Sequence, residues 1–479
     1  DMKTNLIART DECAKLQRCM ESDRSELVIV YGRRRVGKTY LIDEYFDRRY
    51  DFSCSGVHHG PKAMQLRNFA KQLKLAAGGA TLPKFGDWMD AFDALEEYLG
   101  SLPTDRKKVL FFDEMPWMDT GKSDFVIALE NFWNGWASRR KDIVMIATGS
   151  ATSWMIDKMV DNHGGLHARV TCHLYLRQFT LGETEEYLRK RGCQWDRYQI
   201  MQCYMVTGGV PYYLSLLDVS DSITQNINEL FFAEKAELRN EFDDLYSALF
   251  RNAERYIEVV RILYDNKKGL TREEIGKLFP YPNDGLTQII NNLEQCDFIK
   301  STAQFNKGAK LKVYKLVDFF TLFYYKFIKD NLSGNETWWT DNMNGPQISS
   351  WSGLAFERVC MAHVKEIKHA LGISGVPTEV STWKKNKTED GDGAQIDLII
   401  KRMDRMVHLC EMKFSTGKYN LTSDYEKRLR ERQAIFEQSS KTRYGVLHTF
   451  VTTYGVAEGK NKSIVHSEVT MEDLFHTNS

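Results

Sequence analysis

Three stretches of the chain, Glu26-Leu-Val-Ile-Val-Tyr31, Lys108-Val-Leu-Phe-Phe-Asp113 and Ile143-Val-Met-Ile-Ala-Thr148, are apolar without alternation and too short for core helices. Such runs predict strands of a parallel sheet buried on both faces. From about Leu176 to Tyr246 the apolar period becomes helical, as around Leu181, Tyr187 and Leu188, with charge of both signs between. Three more helices are predicted over Tyr256–Tyr264, Thr271–Phe279 and Gly285–Glu294, the second opened by a Thr271/Glu274 capping box. Residues from Phe298 to Thr302 and from Lys310 to Leu316 alternate like two strands around Asn306-Lys-Gly. Three helices and a hairpin predict a winged helix-turn-helix. The aromatic run Phe319–Phe327 has the spacing of a core helix rather than of a base-stacking platform.

Turn residues at Ser333-Gly-Asn-Glu and Asn344-Gly-Pro interrupt the pattern, and a new domain is expected near Trp351. Its predicted order is a helix beginning at Gly353, strands Gln395–Lys401 and Met406–Phe414, a helix over Thr422–Gln438, and a further strand.

A chain of 479 residues with 42% hydrophobic and 12% aromatic side chains has the length of about three globular domains. Zero formal net charge removes any bulk attraction to nucleic acid or membrane, so such a surface must be a local patch. The nine cysteines carry no CxxC pair, against both a disulfide framework and a zinc site. Without a signal-like start or a long apolar run, a soluble cytoplasmic protein with no membrane contact is expected, and Asp1 ahead of Met2 is set aside as an added residue.

The first strand runs into Gly32-Arg33-Arg34-Arg35-Val36-Gly37-Lys38-Thr39, the GxxxxGKT pattern. Its glycines let backbone N–H groups close around phosphates, Lys38 reaches the β/γ oxygens, and the Thr39 hydroxyl ligates magnesium at a helix N-terminus. ATP and Mg2+ are the implied ligands. Asp113 and Glu114, at the end of the second strand, are the candidate magnesium ligand and the group that activates water. Thr148 and Ser150 end the third strand, either as sensors of the γ-phosphate or as caps of the next helix. Arg169 is a candidate for stabilising transferred phosphoryl charge, in cis or across a subunit boundary of a homo-oligomer.

Tyr31-Gly-Arg-Arg-Arg-Val-Gly-Lys-Thr, the Thr148-Gly-Ser150 strand end and Thr207-Gly-Gly-Val-Pro-Tyr-Tyr-Leu together resemble the archaeal/bacterial ATPase family of the AAA+/STAND superfamily. That resemblance implies a helical lid containing the Gly-Gly-x-Pro turn. The family's Gly-Arg pair is Ala168-Arg169 here.

Near the C-terminus, Asp397 on one strand and Glu411 and Lys413 on the next are placed to converge, with Glu357 on the preceding helix. Carboxylates suit a hard cation such as Mg2+: Glu357, Asp397 and Glu411 are the candidate ligands, and Lys413 the group for water or phosphorane charge. The arrangement resembles the PD-(D/E)xK nucleases, with Ile396-Asp397 in place of Pro-Asp. Lys427, Arg428, Arg430 and Arg432 offer either a phosphate-facing stripe or a solvated face. In the three-helix region Thr287, Gln288, Asn291 and Asn292 are candidates for base edges, and Lys307, Lys310, Lys312 and Lys315 for phosphates, against the alternative of protein–protein or interdomain packing.

The expected fold is thus α/β: a P-loop NTPase (AAA+-like) parallel sheet over 1–175, a helical lid over 176–248, a winged helix over 249–332, and a restriction-endonuclease-like domain over 345–479. The expected partners are ATP and DNA. The expected activity is ATP hydrolysis that controls a metal-dependent nuclease, the alternative being a signalling or scaffold switch that binds without cutting.

Overall fold

The computed structural model describes residues 6–150, 152–160, 166, 169–250, 252–307, 311–386 and 393–477. Lys310, named above as a phosphate contact, lies outside them. The chain divides into two compact units, 1–178 and 179–479.

In the first unit the apolar runs become strands β1 (Glu26–Tyr31), β2 (Phe52–Ser55), β3 (Lys108–Asp113), β4 (Ile143–Gly149) and β5 (Cys172–Tyr175), all parallel in the order β2-β3-β4-β1-β5. The pleat sorts their side chains into two cores. Leu27, Ile29, Leu110, Phe112, Met145 and Ala147 face one side, against Phe69, Trp88, Phe92, Phe125 and Phe132 from the helices Lys62–Ala77, Trp88–Gly100 and Phe125–Gly135. Val28, Val30, Val109, Phe111, Val144 and Ile146 face the other, against Leu16, Leu41 and Ile42 from the helices Thr10–Glu21 and Lys38–Phe46. Each large side chain so buried contributes about 1.5–3 kcal/mol. Register pairs Tyr31 with Gly149 and Phe112 with Ala147, so β1, β3 and β4 end level at one sheet edge. That carboxyl edge is where open α/β sheets bind ligands.

The second unit opens with helices Leu181–Lys190, Arg197–Thr207, Pro211–Ser215, Ile223–Ile227 and Glu241–Leu249. Gly209 sits at φ +70°, and a Cβ there would lie 2.2 Å from the Phe179 carbonyl oxygen, so the Gly-Gly turn is obligatory. Three helices, Ala253–Asp265, Arg272–Leu278 and Leu286–Gln295, precede the antiparallel pair β6 (Ile299–Ala303) and β7 (Lys312–Leu316), and the aromatic run is buried in a helix, Phe319–Phe323, continued by a wide turn.

The terminal sheet adds two strands, one at each edge, that the sequence pattern missed. β8 (Thr378–Lys385) pairs with β9 (Ala394–Arg402), then β10 (Met406–Lys413), β11 (Gly445–Thr452) and β12 (Ser467–Thr470) follow, in the order β12-β11-β10-β9-β8. β8, β9 and β10 run antiparallel, while β10, β11 and β12 are parallel. Helix Ser423–Ser440 makes the β10–β11 crossover. The helix carrying Glu357 begins at Pro346, not Gly353, because Pro346 occupies the first helical position where its missing N–H costs nothing.

The β6–β7 hairpin is not a free wing. Phe305, beyond β6, donates its N–H to the Thr382 carbonyl at 2.8 Å, and its ring enters the terminal core beside Trp383 and Phe436.

Candidate functional site

Two clusters of charged groups stand out, one in each unit. In the first, β1 turns through residues 32–37 into helix Lys38–Phe46. Gly32 has φ +143°, and a Cβ there would lie 2.2 Å from the Leu176 carbonyl oxygen. Gly37 caps the helix at φ +88°, a left-handed geometry that glycine adopts without strain. Arg33 and Val36 are buried, while Arg34 and Arg35 are half-buried. Lys38 donates from Nζ to the carbonyls of Gly32 at 3.1 Å and Arg33 at 2.9 Å, so the loop is folded on its own lysine.

The end of β3 faces this loop. Asp113 Oδ1 accepts from the Thr39 hydroxyl at 2.9 Å and from the Thr148 hydroxyl at 2.6 Å. Burial raises the Asp113 carboxyl above its ordinary range, and these two hydroxyl donors pull the other way. Glu114 adopts φ +46° and donates its N–H to Thr148 Oγ1 at 3.0 Å. Its carboxylate accepts from the Ser150 N–H at 3.0 Å and the Ser150 hydroxyl at 2.5 Å. Thr148 and Ser150 therefore grip the two acids in this state. Arg169 is exposed.

Sequence reasoning passed over His58 and His59, directly beyond β2. Their rings lie 4.3 and 4.7 Å from that of Trp117. Burial, His59 and Arg34 hold His58 below its usual range, against the pull of Glu114, which puts this aromatic group in the electrostatic neighbourhood of the acid. A histidine pair at the end of a parallel strand was the available signal.

In the second unit Leu398 pairs with Cys410, which makes Asp397 and Glu411 the next opposed positions of β9 and β10. Both acids thus lie one residue past the paired stretch of the two strands. Each carboxylate, however, is engaged by a cation. Asp397 Oδ1 accepts from Lys315 Nζ at 2.6 Å and from Gln395 Nε2 at 2.8 Å. Glu411 pairs with Arg432 and accepts from the Tyr425 hydroxyl at 2.7 Å. Burial alone would raise Asp397, but the charge and hydrogen bond of Lys315 bring it below the ordinary carboxylate value. Glu357 is raised, by burial first and then by the charge of Asp397. Lys413 lies 4.7 Å from the Tyr425 ring centroid and is lowered by burial.

Among the described residues no three His, Cys, Asp or Glu side chains are grouped to hold a metal ion. Glu357, Asp397 and Glu411 therefore do not form a closed cage in this arrangement. Their oxygens fit a hard cation in kind, yet Lys315 and Arg432 hold Asp397 and Glu411.

Three phosphate or base contacts expected from sequence are corrected. Lys315 is 2% exposed and Arg432 is paired, so neither faces a backbone. Asn292 is buried, donates to the Tyr256 hydroxyl at 2.8 Å and accepts from Gln288 at 2.7 Å. Thr287, Gln288, Asn291, Lys307 and Lys312 are exposed.

Residues 6–217 match the family model described as an ATPase domain predominantly from Archaea. This match supports an ATPase family. Over 399 residues the chain is 23% identical to the uncharacterized protein MJECL04 of Methanocaldococcus jannaschii, covering 82% of this chain and 83% of that one. The Walker-type ATPase PABY2304 of Pyrococcus abyssi superposes with a TM-score of 0.49 at 16% identity, over 68% of this chain and 98% of its own. The Aeropyrum pernix ORC2 protein gives 0.39 at 12% identity, over 76% and 97%. No helix among the described residues is long and apolar enough to cross a membrane.

Proposed function

We propose that the chain is an ATP-hydrolysing conformational switch of the AAA+/STAND type that controls a Mg2+-dependent, nuclease-like terminal region acting on DNA. The observation that carries the ATP half is the contact of Thr39 with Asp113, whose carboxyl also feels the charges of Glu114 and Lys38. A hydroxyl at a helix N-terminus touching a strand-end carboxylate is the donor set that magnesium takes in such sites. Mg2+ held there would supply positive charge against that of the phosphates. Thr39 and Asp113 would hold it, Lys38 would turn from the Gly32 and Arg33 carbonyls to the phosphates, and Glu114 would orient and deprotonate water once Ser150 lets go.

In the second unit, the three helices with their hairpin are read as a winged helix. Exposed Thr287, Gln288 and Asn291 would meet DNA, and Arg272, which donates to the Thr287 hydroxyl at 3.2 Å, supplies the positive charge that helix Leu286–Gln295 lacks. Asp397, Glu411 and Glu357 would bind the cutting metal and Lys413 would stabilise the phosphorane. The cations on Asp397 and Glu411 favour a second reading, in which the terminal region binds nucleic acid or a partner without cutting.

Plasmid, linear and single-stranded DNA, and RNA, incubated with Mg2+ or Mn2+ with and without ATP, separate the readings. The proposal expects Lys38→Ala to abolish ATP turnover, and Asp397→Ala or Lys413→Ala to abolish cleavage. ATP turnover with every nucleic acid intact under both metals would leave only the second reading.

A further inference from the structure

The acidic cluster of the second unit contains a residue from outside its own sheet. Lys315 comes from β7, 82 positions before Asp397, yet its ammonium is 2.6 Å from the carboxylate and its side chain is 2% exposed. Two features deliver it there. β7 is fixed to β6 from Ile299↔Leu316 to Ala303↔Lys312. Past β6, the hairpin is fastened to the edge of the terminal sheet by the Gln304↔Thr382 bridge and by Phe305, whose ring meets Phe436, which in turn meets Trp383.

An ammonium and a hard divalent cation make the same demand on a carboxylate, and they cannot both occupy the oxygen that Lys315 holds. Arg358, 4% exposed on helix Pro346–Ala362, adds a second positive charge felt by Asp397. A cation entering would leave Lys315 buried without its partner, which is far costlier than breaking an exposed pair. Lys315 must then move toward solvent, and its strand is the one joined to the three-helix region. Metal occupancy and hairpin position are therefore linked.

We propose that Lys315 is a built-in counter-ion that holds Asp397 closed to divalent cations until the β6–β7 hairpin shifts. This rests on the reading of the acidic cluster as a metal site and adds its regulation. The three-helix region would thus act as a plug on the terminal site, apart from any contact with DNA.

The test measures metal binding, separately from cleavage. Full-length wild type, Lys315→Met, Lys315→Gln, Asp397→Ala and the Lys315→Met/Asp397→Ala double variant are titrated with Mn2+ without nucleotide, reading free Mn2+ by electron paramagnetic resonance. The expected result is that both Lys315 variants tighten one Mn2+ site by at least about ten-fold, and that Asp397→Ala removes the gain. Equal binding in folded wild type and Lys315 variants overturns the proposal. Should the variants misfold, acylation footprinting of wild type decides. Lys315 should be protected without metal and labelled with saturating Mn2+, whereas unchanged labelling overturns the proposal. Tightened Mn2+ binding with plasmid still intact upholds the counter-ion and removes the nuclease reading.

Discussion

Thr148 is the residue on which both strand-end acids depend. Its hydroxyl donates to Asp113 and receives the Glu114 N–H, and the residue is fully buried. Thr148→Val keeps the shape but leaves the Glu114 N–H without its acceptor, at about 1–3 kcal/mol, and Asp113 with Thr39 as the remaining hydroxyl donor of the two. Burial already pushes Asp113 up, and removing a hydroxyl that opposes burial pushes it further. The acid limb of ATP turnover should therefore move to higher pH in Thr148→Val, with turnover at neutral pH reduced roughly ten-fold or more, and Thr148→Ser should restore both. A turnover profile whose acid limb stays in place would show that Asp113 is not the titrating group. The role was half legible. Small hydroxyl residues at a strand end announced a polar contact, but whether they face a phosphate or an acid on the neighbouring strand depends on the β3–β4 register, which no local pattern encodes.

At the scale of elements, what could be read from the chain were segments whose neighbours are interchangeable. β1, β3 and β4 are buried on both faces, so any apolar sequence of the right length reports them. β8 escaped because it is an edge strand, half exposed, with Thr378, Glu379, Lys384 and Lys385 at its ends. Lys315 escaped for another reason: a lysine at an alternating position of a predicted wing looks like a phosphate contact until a distant carboxylate is folded against it. His363 is a third case. The Leu181 N–H donates to its Nε2 at 2.9 Å, so the ring proton sits on Nδ1 and is given to the Val359 carbonyl at 2.7 Å. This pins the start of helix Leu181–Lys190 to helix Pro346–Ala362. Burial lowers His363 from 6.5 to about 4, so the unfolded chain binds more protons in that window. Stability contributed by the neutral ring is whole above about pH 6.5 and is lost as pH falls toward about 4, by about 3 kcal/mol. Urea unfolding at several pH values should show that slope, and His363→Gln should reduce it by the share of this one histidine while lowering stability at neutral pH. A slope unchanged in the variant would assign it wholly to His408 and His448, which burial also lowers to about 4.

For the whole molecule the decisive quantity is the coupling between Lys38 and the Asp397 cluster, which lie in different compact units. Coupling is a free energy and is reciprocal: if ATP changes the affinity for DNA by some factor, DNA must change the affinity for ATP by the same factor. Hydrolysis would destroy the equilibrium, so the measurement belongs in Glu114→Gln, where nucleotide stays bound but water is not activated. The switch proposed here predicts that ATP alters DNA affinity in that variant by about 5- to 150-fold, the range of ordinary allosteric coupling, and that a fluorescent ATP analogue reports an equal change when DNA is added. Lys38→Ala, which removes the P-loop ammonium, should leave DNA affinity indifferent to ATP. If the counter-ion at Asp397 is the element that responds, Lys315→Met should shrink the coupling while leaving ATP affinity in the absence of DNA unchanged, since Lys315 is outside the P-loop sequence and is paired with Asp397 of its own unit. Coupling of the same size in Lys315→Met would place the responsive element elsewhere in the second unit. Zero coupling in Glu114→Gln would mean that the ATPase and the terminal region share a chain without sharing a switch.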